Sequence, residues 1–102
     1  MTVCEKKQHL REYRLQQMKI LRLTETLQKY PGEAERCRAK IEEAWKIREK
    51  IENEIDAIDD FLLREILSQK YLSGYTLGEI AIQTNYSKRQ IERLHIKALN
   101  ML

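Results

Sequence analysis

Helix breakers are scarce in this chain, with three glycines and one proline among 102 residues. That scarcity excludes a sandwich or barrel, whose many turns need them, and a glycine-rich nucleotide loop. Cys4 and Cys37 are the only cysteines and lie far apart. They form no Cys-x-x-Cys zinc or redox motif and no disulfide framework, and they fit a reducing cytosol. No apolar run approaches the roughly 18–20 residues that a membrane span needs. The start, Met1-Thr2-Val3-Cys4-Glu5-Lys6-Lys7, is not followed by an apolar signal core. A soluble cytoplasmic protein without a membrane partner is expected. The length leaves little room for an enzyme core with a deep cleft. No carboxylate pair, nucleophile–base set or phosphate loop stands at a plausible spacing, and neither His9 nor His95 has a ligand partner at helical spacing. The expectation is therefore no enzyme, no catalytic residue, no metal and no cofactor.

Charged residues make up 34% of the chain and hydrophobic ones 42%. Glu, Lys, Arg, Leu and Ile dominate, the composition of long helices. Leu10, Tyr13, Gln17, Ile20, Thr24 and Leu27 follow alternating spacings of three and four. After Pro31-Gly32, Cys37, Ile41, Ala44, Arg48, Ile51, Ile55, Ile58 and Leu62 do the same. Two heptad-like stripes across a tight connection predict a long antiparallel helical hairpin, coiled-coil-like, over residues 1–58. Trp45, Tyr13 and Cys37 are expected to pack between helices, and His9 to face solvent. Residues 1–30 carry a net charge of +4, residues 33–58 and 59–86 carry −2 each, and residues 87–102 carry +3. The opposite charges of the first two helices suit their pairing, a use ranked ahead of phosphate binding by the first helix. Two amphipathic helices bury limited surface alone, so the hairpin is expected to make the chain a homo-oligomer.

Punctuation sharpens towards the C-terminus. Asp59-Asp60 offers a helix N-cap before Phe61, Leu62, Leu63, Ile66, Leu67 and Tyr71, and Gly74 offers a stop. Thr76-Leu77-Gly78-Glu79 and Ser87-Lys88-Arg89-Gln90 both read as capping boxes. Between them Asn85 suits the left-handed conformation of a sharp turn. Two short helices joined this way predict a helix-turn-helix within a second domain, residues 59–102. Ala81 is small where the helices approach, and Ile80, Tyr86, Ile91 and Leu94 are expected to point inwards. His95 is expected at the core edge. The outer face of the last helix then carries Lys88, Arg89, Glu92, Arg93, Ile96 and Lys97.

Those residue types have a direct use on duplex DNA. A helix fits the major groove, where Arg and Lys donate to guanine O6 and N7, Glu92 can accept from cytosine N4 and Ile96 can touch a thymine methyl. The capped helix N-termini at Thr76 and Ser87 suit phosphate oxygens, and Gly78 leaves room for their approach.

The motifs also resemble a known family. Leu63-Arg64-Glu65-Ile66-Leu67, then Tyr71 through Ala81, and Tyr86-Ser87-Lys88-Arg89-Gln90-Ile91-Glu92-Arg93-Leu94 with Lys97-Ala98-Leu99, resemble the fourth conserved region of bacterial sigma factors. The whole chain looks most like small phage-borne transcriptional regulators of Gram-positive bacteria. The resemblance implies binding of a −35-type promoter element, contact with RNA polymerase, and base-reading positions at Lys88, Arg89 and Arg93 beside Glu92. Arg89 stands where many sigma factors are acidic, and Gly78 replaces a polar residue. No counterpart of the −10-reading region is present, so the chain is not a complete sigma factor. Residues 1–58 match only in helical character and size. The reading is a sequence-specific DNA-binding transcriptional regulator. The alternatives are a coiled-coil module that grips RNA polymerase, or a phage DNA-packaging accessory protein, each with weaker DNA binding.

Overall fold

The computed structural model describes residues 1–102 and is all-helical, without a strand. Five helices follow in order: α1 Val3–Lys29, α2 Ala34–Asp56, α3 Phe61–Leu67, α4 Leu77–Thr84 and α5 Lys88–Asn100. A capping box starts α1, with Thr2 Oγ1 accepting from the Glu5 amide and Glu5 accepting from the Thr2 amide. Hydrogen bonding to Thr2, first of all from its backbone amide, holds the Glu5 carboxyl below its ordinary pKa. Pro31–Glu33 form one 3-10 turn between α1 and α2, where proline is tolerated because its missing N–H would have had no helical acceptor.

α1 and α2 run antiparallel, since His9 Nε2 meets Glu54 Oε2 at 2.7 Å while Tyr13 meets Glu52 further along. Buried Leu10, Tyr13 and Ile20 face Cys37, Ala44, Ile51 and Ile55. The α1 stripe differs from expectation at two places. Gln16 is buried and Gln17 exposed, and Leu23 is more covered than Thr24. At 100° per residue the step of three from Tyr13 stays on the facing side as well as the step of four does, and packing selects Gln16. Its amide donates to Glu12 Oε1 at 2.6 Å. Thr24 instead donates its hydroxyl back to the Ile20 carbonyl at 2.8 Å.

Arg48, which interrupts the α2 stripe, belongs to a polar layer. Its Nη2 donates to the Tyr13 hydroxyl at 2.8 Å, and that hydroxyl donates to Glu52 Oε1 at 2.6 Å. Arg48 also lies over the rings of Trp45 and Tyr13, 4.5 and 4.8 Å from their centroids. Trp45 is thus a half-exposed platform for a guanidinium and not an interhelical core residue, because α1 covers only one side of α2. His9 is half-buried beside Glu54 and not solvent-facing.

Asp60 caps α3, its carboxylate accepting from the Leu63 amide at 3.1 Å. The helix then widens into a π turn, Ser68–Leu72, and Gly74 ends it with φ +85°. One apolar cluster joins Leu10, Tyr13, Ile51, Ile55 and Ile58 to Leu63, Leu67, Tyr71, Ala98 and Leu99, so the core runs across residue 58. A second cluster, Ile66, Ile80, Ala81 and Ile91, packs α4 and α5 on α3. Each fully buried Leu or Ile contributes about 1.5–3 kcal/mol of hydrophobic stabilisation. Nearly all of them lie at one end of the molecule, which is where α5 is fixed.

Candidate nucleic-acid interface

The turn before α5 is built from local chemistry. Thr76 Oγ1 accepts from the Glu79 amide at 3.1 Å and donates to Glu79 Oε1 at 3.0 Å, starting α4. Asn85 closes α4 with φ 63° and ψ 21°. Ser87 Oγ accepts from the Gln90 amide at 3.1 Å, and Gln90 Oε1 accepts from the Ser87 amide at 2.9 Å. The side chains of Thr76 and Ser87 are therefore occupied in capping. What they present outwards is a helix start carrying partial positive charge.

α5 is held by one face. Ile91, His95, Ala98 and Leu99 are buried, with Leu94 partly so. Leu99 is a core residue that the sequence periodicity did not single out, because it sits one residue beyond Ala98 at the edge of the stripe. Tyr86, expected inwards, is 40% exposed. The left-handed Asn85 turns the chain just before it and carries its ring out to the shallow depression lined by Ala81, Ile82 and Lys88.

All eight sequence-predicted residues, Thr76, Ser87, Lys88, Arg89, Glu92, Arg93, Ile96 and Lys97, are exposed. Arg89, Glu92, Arg93 and Ile96 line one shallow surface on the outer side of α5. Lys88 sits apart from them at the turn depression, and Lys97 lies one turn beyond Arg93. The ion pairs of the molecule are His9–Glu54, Lys46–Glu42 and Arg48–Glu52, so none of the α5 cations is neutralised by an ion pair. Arg89 and Arg93 stand either side of Glu92 in sequence and project from a helix whose position the core fixes.

Beneath α5, His95 Nε2 and the Tyr71 hydroxyl are 2.7 Å apart, with the rings stacked at 5.7 Å between centroids. Burial, and then the charges of Lys70, Lys7 and Arg11, hold the His95 pKa down at about 4. Burial pushes the Tyr71 hydroxyl up to about 12. Both groups are neutral at pH 7. We assign the hydroxyl as donor to Nε2, which leaves the ring proton on Nδ1.

The α1 cations were expected to serve pairing with α2, yet no Lys or Arg of α1 forms an ion pair with it. Arg11 and Arg14 instead line a cleft with Lys70 of the π turn. Only the +4 charge of residues 1–30 hinted at this, since Lys70 lies 56 residues beyond Arg14 in the sequence. No group of three or more His, Cys, Asp or Glu side chains gathers at metal-binding spacing. No helix is long and apolar enough to cross a membrane. No protein-family model, curated protein or solved structure matches the chain.

Proposed function

We propose that this protein is a sequence-specific, double-stranded-DNA-binding transcriptional regulator of the phage-borne type. In this reading α4, the Asn85 turn and α5 form a helix-turn-helix resembling the fourth region of sigma factors, and α5 enters the major groove. The observation that carries it is the outer surface of α5. Arg89, Glu92, Arg93 and Ile96 form one exposed patch, free of ion pairs, on a helix whose opposite face is locked into the core. Two arginines on a rigid, groove-sized helix match bidentate donation to guanine, each good pair discriminating by about 1–3 kcal/mol. Lys88 and Lys97 serve neighbouring phosphates, and the helix starts at Thr76 and Ser87 set the docking angle. The α1–α2 hairpin serves as the oligomerisation arm, presenting two reading helices in the cytoplasm. RNA polymerase is the further partner that the resemblance suggests.

The test is selection of bound duplexes from a random or source-genome pool at fixed, near-physiological salt, alongside the Arg89→Ala/Arg93→Ala variant. The reading expects an enriched motif that the variant loses while keeping its helicity. A well-folded wild-type protein that enriches no motif would overturn sequence reading and favour a polymerase-binding or packaging-accessory role.

A further inference from the structure

The cleft between α1 and the π turn is lined by cations from two elements with no carboxylate among its walls. Arg11 and Arg14 come from α1 and Lys70 from the π turn, and Leu15, Met18, Tyr75 and Thr76 also line the cleft. Lys7 stands one turn before Arg11 on the same face of α1. None of the four cations forms an ion pair. Arg14 is seated against Gly74, where a side chain would displace its guanidinium.

We propose that this cleft is a second contact site for duplex DNA, a seat for the sugar–phosphate backbone on the flank of the site read by α5. The proposal rests on the DNA-binding reading of α5 and extends it to α1. Three arguments support a backbone strand as the occupant. The cations border an open cleft and not an enclosed pocket. Lys7 to Arg14 spans about 10 Å along α1 at 1.5 Å per residue, which is the axial rise of about three nucleotides at 3.4 Å each. Thr76, the N-cap of α4, is itself a wall of the cleft, so the cleft adjoins the start of the helix-turn-helix.

The free protein gathers these like charges at a cost. Lys70 is partly buried, and burial together with Arg11 and Lys7 lowers its pKa. The same cations act on His95 through the floor of the cleft, where Tyr71 lies. A phosphate strand supplies the anions that the fold leaves out.

The test compares wild type with Lys7→Gln/Arg11→Gln/Lys70→Gln, binding selected and scrambled duplexes across a salt series. Each phosphate contact contributes about 0.9 to the slope of log affinity against log salt. The variant is expected to bind both duplexes more weakly by the same factor, with a slope shallower by about 2–3, and to keep its sequence preference. Arg11→Lys is expected to keep the wild-type slope. Circular dichroism checks the fold. Should the triple variant unfold, Arg11→Gln and Lys70→Gln are read singly, each with a slope change of about 0.9.

Wild-type affinity and slope in a folded variant would overturn the cleft site and leave the α5 reading intact. Binding that is lost in the cleft variant but untouched in Arg89→Ala/Arg93→Ala would support the cleft and overturn the α5 reading. A wild-type protein that binds no duplex at any salt would overturn both.

Discussion

At the scale of single residues the buried Tyr71–His95 pair is the most consequential polar contact. His95 is 3% exposed and its pKa of about 4 lies below the ordinary 6.5. The unfolded chain therefore binds a proton at this ring, between pH 6.5 and 4, that the folded chain does not. Stability then rises with pH through that window and is lost as pH falls through it. At 1.36 kcal/mol per pH unit the loss is on the order of 2–3 kcal/mol for this one group. Denaturant unfolding at pH 7, 5.5 and 4.5 measures it. His95→Gln keeps an acceptor for the Tyr71 hydroxyl but cannot titrate, and it is expected to flatten the wild-type slope by that amount. An unchanged slope in the variant would place the acid sensitivity elsewhere. Burial first, and then the charges of Lys70, Lys7 and Arg11, keep this ring neutral in the folded chain.

At the scale of elements, the ends of helices carry the information that positions α5. Gly74 is the sharpest case, because it needs φ +85° and also lies against the Arg14 guanidinium. Gly74→Ala is expected to cost about 1–2 kcal/mol from the left-handed backbone alone. The flexible Arg14 side chain yields and adds little. A fall in denaturation midpoint with helicity retained is the expected result, and an unchanged midpoint would mean the turn relaxes to another conformation. Such punctuation is what made the C-terminal third legible in the sequence. The Thr76–Glu79 and Ser87–Gln90 boxes, the Asp60 cap, Asn85 and Gly74 all act within four residues, so local chemistry determines them. The exposure of Arg89, Arg93 and Ile96 followed from the period of one helix. What was not legible depends on distant partners. The Tyr13–Arg48–Glu52 layer and the cleft of Arg11, Arg14 and Lys70 join residues dozens apart, and no pattern in a single helix encodes them. Gln16 against Gln17 was a choice between two registers that only packing makes.

At the scale of the whole molecule the shape is uneven. The radius of gyration is 16.2 Å and the extents are 52 × 26 × 21 Å, whereas a compact chain of this length has a radius of about 13 Å. The excess is the distal half of the α1–α2 pair, which projects from the core. There, the only buried apolar residues are Ile20, Cys37 and Ala44, while Leu21 and Tyr30 are 61% and 63% exposed. Covering one such Leu is worth about 1.5–3 kcal/mol, and two helices alone have no third element to do it. On the proposed reading, association of copies along this arm would supply that element and set two α5 helices on one duplex. Sedimentation at tens of micromolar protein is expected to give a dimer or higher species. Leu21→Lys/Tyr30→Lys leaves every buried residue in place, so it is expected to yield a helical monomer. If the arm links two readers, that monomer loses far more affinity for a duplex with two half-sites than for one with a single half-site, because the second contact is no longer intramolecular. A wild-type monomer at high micromolar concentration would refute the association, and α5 would then have to find its affinity from one site and the flanking backbone contact at α1.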